Sequence, residues 1–171
     1  MHYNDDFYKD VVAQKSLELS KFAYVNGSVV GAICTRIEPL AGDTGRHRLY
    51  IMTLGVLAAY RSRGVGSQLV ESVLNFYEEN KDGASAASME DTAGVGISEE
   101  HAGKAASSKA PTPFQLAMKT VDEICLHVQT SNVDAMDFYI NGFGFVKGEE
   151  VTNYYRRIDP PDAIVLYKKL R

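Results

Sequence analysis

The sequence predicts an α/β (α+β) domain, one mixed central sheet flanked by helices. Three observations predict it. Period-two apolar runs recur along the chain, and the first two are joined by Asn26-Gly27, a strong hairpin signal. A glycine-rich loop, RSRGVG at 61–66, sits between a strand-like run and a segment with helical apolar spacing. Beyond residue 120 the order strand, helix, strand, loop, strand returns.

Taken in order, YNDDFYKDVVAQ (3–14) offers Asn4 and Asp5 as caps for a short helix carrying Phe7, Val11 and Val12. KFAYV (21–25) and SVVGAICTRI (28–37) form the hairpin, and PLAGDTGR (39–46) is a loop. RLYIMTLGVL (48–57) is a strand. Strict alternation sets Leu49, Ile51 and Thr53 on one face and Tyr50, Met52 and Leu54 on the other. Over 64–80, Val65, Leu69, Val73 and Tyr77 make a helical stripe with Val70 and Leu74 beside it. Residues 82–112 are rich in Ala, Gly and Ser and carry no aromatic residue. Such a segment buries too little apolar surface to offset chain entropy. It is expected to be a disordered insertion, dispensable for catalysis, with His101 merely solvated. Order resumes at VDEICLHVQ (121–129), where Ile124, Leu126 and Val128 share one face and Cys125, His127 and Gln129 the other. Ser131 is the expected cap of a helix over 132–141, with Ala135, Phe138 and Tyr139 facing inward. GFGFVKGEEV (142–151) reads as turn and strand, NYYRRIDPPD (153–162) as a loop stopped by two prolines, and AIVLYKKL (163–170) as a final strand. There are no internal repeats, and the chain reads as one domain over 1–171.

Bulk composition narrows the function. A chain of 171 residues, 45% hydrophobic and 23% charged, has the ordinary balance of a globular domain with a sizeable core. A net charge of −4 disfavours non-specific nucleic-acid binding. No apolar run is long enough to span a bilayer, and no secretory signal is seen. Cys34 and Cys125 both lie in apolar strand-like segments. They are expected to be buried reduced thiols, which implies a cytoplasmic location with the nucleus as a second compartment.

Three phosphate loops compete for 61–67. A Walker loop needs a lysine that is missing here, and a dinucleotide fingerprint needs a third glycine that is also missing. What remains is R-x-x-G-x-G between a strand and a helix. Backbone N–H groups around 62–67 can converge on a pyrophosphate there, aided by the positive end of the helix. Taken alone, the loop reads equally well as a glycine-rich helix start that binds nothing.

The segments RLYIMTLGVLAAYRSRGVGSQLV, ICLHVQTSNVDAMDFYINGFGF and NYYRRIDP together resemble the GNAT superfamily of N-acetyltransferases, and within it the NatE-type N-alpha-acetyltransferases. The likeness covers most of 3–81 and 119–170. It implies acetyl-CoA as co-substrate and the N-terminal amine of proteins as acceptor, preferentially after an initiating methionine with an apolar second residue. By the same resemblance, Tyr50 and His127 are the catalytic pair, holding a water that takes the amine proton. The cofactor set is Leu54, Val56, Arg61, Ser62, Arg63, Gly64, Val65, Gly66, Ser67, Asn132 and Tyr139, with Tyr139 near the coenzyme sulfur. A splayed strand after Leu54 would free N–H groups for the thioester carbonyl. The peptide set is Tyr3, Met52, Tyr154 and Tyr155, with Arg156 and Arg157 beside them. No metal is implied. Each assignment has a structural competitor. His127 also reads as a core histidine, Tyr50 and Tyr139 as packing aromatics, and Asn132 as a helix cap.

The sequence departs from the family in three places. Only Met1 and His2 precede Tyr3, so the family's first strand and helix are expected to be lacking, which would bare a sheet edge. The 82–112 insertion replaces a short link, and YINGFGF carries one extra residue. Two alternatives stay open: acetylation of lysine or small amines by the same machinery, and a non-enzymatic subunit of a NatA-type complex at the ribosome.

Overall fold

A computed structural model of the chain describes residues 19–40, 42, 45–82 and 113–171. The helix expected at 3–14, Tyr3 with it, and the 83–112 stretch of the expected insertion lie outside the described residues. Six strands form one mixed sheet. They are β1 (Lys21–Val25), β2 (Ser28–Pro39), β3 (His47–Val56), β4 (Val121–Gln129), β5 (Val146–Val151) and β6 (Ala163–Lys169), in the spatial order β1-β2-β3-β4-β6-β5. All neighbours are antiparallel except β3 and β4, which run parallel. Asn26 and Gly27 both take positive φ, 50° and 77°, as a two-residue hairpin matched to strand twist requires.

Helices α1 (Val65–Asn80) and α3 (Val133–Phe143) share one apolar cluster with alternate strand residues: Leu49 and Ile51 of β3, Ile124, Leu126 and Val128 of β4, and Leu166 of β6. α1 buries Leu69, Val70, Val73 and Tyr77. Its close approach to β2 depends on Gly31, where a Cβ would stand 3.1 Å from the Gly55 carbonyl and 3.2 Å from the side chains of Val65 and Leu69. Tyr77 is fully buried yet satisfied, donating its hydroxyl to the Val121 carbonyl at 3.0 Å. Cys125 is buried and Cys34 half-buried, and neither forms a disulfide.

Three local expectations need correction. Strict alternation fails along β3. Cys34 pairs with Thr53 but Thr35 with Ile51, so Met52 is an extra residue, a β-bulge. The bulge resets the parity, and Leu54 and Val56 pack on the same apolar cluster as Leu49 and Ile51 instead of opposite it. The cap of α3 is Asn132 rather than Ser131, its side chain accepting from the Ala135 N–H at 3.1 Å. That helix also runs to Phe143, where Gly144 ends it in the left-handed conformation (φ 70°). The short helix α2 (Pro113–Met118) was not foreseen. It is held by Phe114 against Phe76, ring centroids 6.3 Å apart, and by fully buried Met118.

Candidate active site

β3 and β4 pair only over their first halves. The last partners are Tyr50 and Cys125, although β3 continues to Val56 and β4 to Gln129. Beyond that point β3 stays with β2, as far as Gly31 opposite Val56, and β4 stays with β6, as far as Gln129 opposite Ala163. The two halves of the sheet therefore part like a fork. A cavity of about 1080 Å³ occupies the gap, walled by both strands, the 61–67 loop, α3 and the tyrosine loop. Main-chain groups of β3 that face the gap have no strand partner among the described residues and are available to a ligand.

One end of the cavity is built for an anion. A 3-10 turn (Ala58–Tyr60) follows β3, and the Arg61 Nε donates to the Val56 carbonyl at 3.0 Å, strapping the loop back onto the strand end. Ser62 (φ 56°) and Gly64 (φ 80°) are both left-handed. Alternation of this kind turns successive N–H groups toward one side. Gly64 caps α1 and supplies no side-chain hydrogen bond, so the donors of the first turn stay open. A Cβ on Gly64 would meet no protein atom within 4 Å, because it would project into open space. Arg61, Ser62, Gly64, Gly66 and Ser67 all line the cavity. Val65 turns its side chain into the core, and the Arg63 guanidinium sits over the Tyr60 ring at 5.8 Å. Neither side chain lines the cavity.

α3 closes the middle. Its Phe138 ring packs 3.6 Å from the position of a Gly66 Cβ, setting the middle of α3 against the start of α1. Asn132 does both jobs foreseen for it, capping the helix and lining the cavity. Tyr139 is only 4% exposed, and burial holds its hydroxyl well above the ordinary phenol range. Tyr139 lines the cavity, so its protonated hydroxyl is a donor placed beside a ligand acceptor.

At the fork itself stands a cluster of three rings. The Tyr50 hydroxyl lies 3.0 Å from His127 Nδ1 and 2.9 Å from the Tyr154 hydroxyl. His127 and Tyr154 stack face to face, with centroids 4.2 Å apart and planes 6° apart. Tyr155 packs edge-on to Tyr154 at 4.9 Å and reaches the His127 carbonyl at 3.4 Å. Burial, and then the hydrogen bond to Tyr154, push the Tyr50 phenol far above its usual range, so it stays protonated. Burial, and then the nearby Arg48 cation, lower the His127 pKa, while Glu38 opposes them more weakly. The imidazole is therefore neutral at pH 7, which is the form a base requires. A short set of bonds positions the tyrosine loop. Gln129 Nε2 donates to the Pro160 carbonyl and the Tyr155 N–H to the Pro161 carbonyl, both at 2.8 Å. The Asn153 N–H donates to the Asp162 carboxylate at 2.8 Å.

Of the residues singled out from sequence, Tyr50, Met52, Leu54, Val56, His127, Tyr154 and Tyr155 join the loop and α3 residues around this one cavity. Arg156 and Arg157 are exposed and do not line it. Sequence reasoning missed Gln129, Phe138 and Ile158 as cavity walls. Gln129 shares the His127 face of β4 by alternation, and Ile158 follows Tyr155 in the same loop. Those were the available signals.

Residues 2–110 match the acetyltransferase (GNAT) family. The chain belongs to that family. It is 41% identical over 169 residues to N-alpha-acetyltransferase 50 of Danio rerio, covering 99% of this chain and 74% of that protein. It is 38% identical to the probable N-acetyltransferase san of Drosophila melanogaster, covering 99% of this chain and 68% of that one. Among solved structures, Arabidopsis thaliana Naa50 in complex with the bisubstrate analogue CoA-Ac-MVNAL superposes with a TM-score of 0.65 at 35% identity, covering 98% of this chain and 82% of that chain. The mixed sheet and flanking helices expected from sequence are the fold of this family, and an acetyltransferase is the enzyme class expected from it.

Proposed function

We propose that this GNAT chain is an N-alpha-acetyltransferase that moves an acetyl group from acetyl-CoA to the N-terminal amine of proteins, preferring an initiating methionine followed by an apolar residue. The observation that carries this is the hydroxyl–imidazole–hydroxyl cluster of Tyr50, His127 and Tyr154 at the fork, sharing one cavity with an open helix N-terminus. The relative solved with CoA-Ac-MVNAL supports both the co-substrate and a methionine-first acceptor.

Acetyl-CoA supplies the activated acyl group as a thioester. Backbone N–H groups of 62–67 and the positive end of α1 hold its pyrophosphate, and the unpaired edge of β3 beyond Tyr50 offers N–H groups to the carbonyl oxygen as negative charge develops. An N-terminal amine has a pKa of about 8, so it needs only modest help to lose its proton. Neutral His127 is the final acceptor. The Tyr50 hydroxyl passes its proton to Nδ1 while taking one from the amine, directly or through a water, and so ends as it began. The protonated Tyr139 hydroxyl donates a hydrogen bond to the sulfur, which departs as the CoA thiolate and is protonated by solvent after release, while the amine proton stays on His127. Met52, Tyr154, Tyr155 and Ile158 wall the peptide side of the cavity. Assembly with a NatA-type complex at the ribosome is the partner reading that the family resemblance favours.

The test is a competition. A Met-Leu peptide with a free amine is mixed with its N-blocked, lysine-bearing counterpart, and the products are sequenced by mass spectrometry. Acetylation at the free N-terminus alone is expected. Equal labelling of the lysine would replace this reading with the lysine acetyltransferase one.

A further inference from the structure

The face of the sheet that carries Tyr50 also carries a row of charge that the proposed chemistry leaves unused. Arg36 of β2 stands directly opposite Tyr50 in the antiparallel register. Its guanidinium carbon lies 5.1 Å from the centre of the Tyr50 ring. Arg36 is itself held, its Nε donating to Glu38 Oε1 at 2.6 Å. The other oxygen of that carboxylate accepts from Arg48 Nε and Nη2 at 3.2 and 3.1 Å. Glu38 is thus the shared anchor of two arginines, with its side chain 19% exposed against 39% for Arg36 and 29% for Arg48.

We propose that Arg36, clamped by Glu38, is a positioning residue for the acetyl-transfer step: it fixes the Tyr50 ring so that its hydroxyl stays on His127 Nδ1. The inference rests on the role given to Tyr50 above and deepens it. Tyr50 sits where β3 leaves β4, two residues before the Met52 bulge, so its backbone is held on the β4 side only up to that point. Its hydroxyl must serve two partners at once, His127 and Tyr154. Tyr154 belongs to a loop and is 40% exposed, so it is a weak anchor. The support for the ring comes from the other side, from a planar cation that is already ordered by a charge-assisted bond. A ring swing that displaces the hydroxyl by about 1 Å is enough to cost on the order of tenfold or more in rate.

The experiment is a double-mutant cycle on the full chain, with kcat and KM measured for acetyl transfer to a Met-Leu peptide. Tyr50→Phe keeps the ring, and with it the Arg36 contact, but removes the hydroxyl. Arg36→Gln is expected to lower kcat about tenfold, to change peptide KM less than twofold, and to have almost no further effect in the Tyr50→Phe background. Arg36→Lys keeps the charge without the planar stack. It is expected to rescue about half of the loss on a logarithmic scale and serves as the cycle partner if Arg36→Gln does not fold. Equal losses in both backgrounds mean a general structural role and overturn the proposal. So does an unchanged kcat in Arg36→Gln. If Tyr50→Phe itself leaves kcat unchanged, the reading of Tyr50 fails first, and the proposal with it.

Discussion

The first and second halves of β3 and β4 are the same two strands put to opposite uses. Over His47–Tyr50 and Val121–Cys125 they form a parallel ladder, and their inward residues, Leu49, Val121 and Ile124, are fully buried. Past Tyr50 they share no pairing and enclose a cavity of about 1080 Å³. Ladder bonds lost in the second half leave main-chain donors without partners, and a protein tolerates that where a ligand or solvent takes them. The first half supplies stability and the second supplies function. Tyr50, the last paired residue, belongs to both.

Substitutions should separate the two halves cleanly. His127→Ala, on the open half, is expected to lower kcat by about a hundredfold or more while the unfolding midpoint in denaturant barely moves; a loss of stability that accounted for the activity loss would erase the distinction. Ile124→Ala, on the paired half, is expected to do the reverse. Deleting a fully buried side chain there costs about 3 kcal/mol in unfolding free energy, read by urea denaturation, with acetyl-CoA affinity of the folded fraction unchanged. Gly64→Val introduces side-chain bulk into the open space at the start of α1 and strains a residue at φ 80°. Acetyl-CoA affinity by calorimetry is expected to fall about tenfold, beyond the roughly 1 kcal/mol of strain seen in stability. Gln129→Ala removes one of the bonds that tie the tyrosine loop to β4 and is expected to raise peptide KM a few-fold with kcat nearly constant.

The smallest effect concerns pH. His127 touches Tyr50 from β3 and Tyr154 and Tyr155 from the loop, and the charges that act on it are Arg48 of β3 and Glu38 of β2. Burial and Arg48 depress its pKa, so activity should persist below the ordinary histidine range as pH falls. Arg48→Gln removes a cation that disfavours protonation. The acid limb of the kcat profile is then expected to move to higher pH, whereas movement to lower pH would show that another group governs that limb.

Much of the scaffold around the ladder was legible in the sequence because its signals are local. Asn26-Gly27 fixes a turn, and the stripe ending at Tyr77 fixes a helix. The fork was legible only through family resemblance, since neither Tyr50 nor His127 differs in pattern from a packing residue. What stayed hidden depends on partners distant in sequence. The Met52 bulge is a property of the β2–β3 register, and it moved Leu54 and Val56 to the other face. The choice of Asn132 over Ser131 as cap turned on one hydrogen bond. α2 has too few residues for a periodic signal and is held by Phe76 from α1. Arg36 looks like any charged strand residue until Tyr50 is seen beneath it.

The most direct test of the account is a crystal structure of this chain with a conjugate of CoA, an acetyl group and a Met-Leu peptide. The account predicts pyrophosphate on the N–H groups of 62–67, the acetyl group between the parted strands, and the peptide nitrogen within reach of Tyr50 and His127, with Tyr154 and Tyr155 along the peptide. A conjugate whose peptide nitrogen lay away from Tyr50 and His127, or whose pyrophosphate left the start of α1 empty, would contradict it.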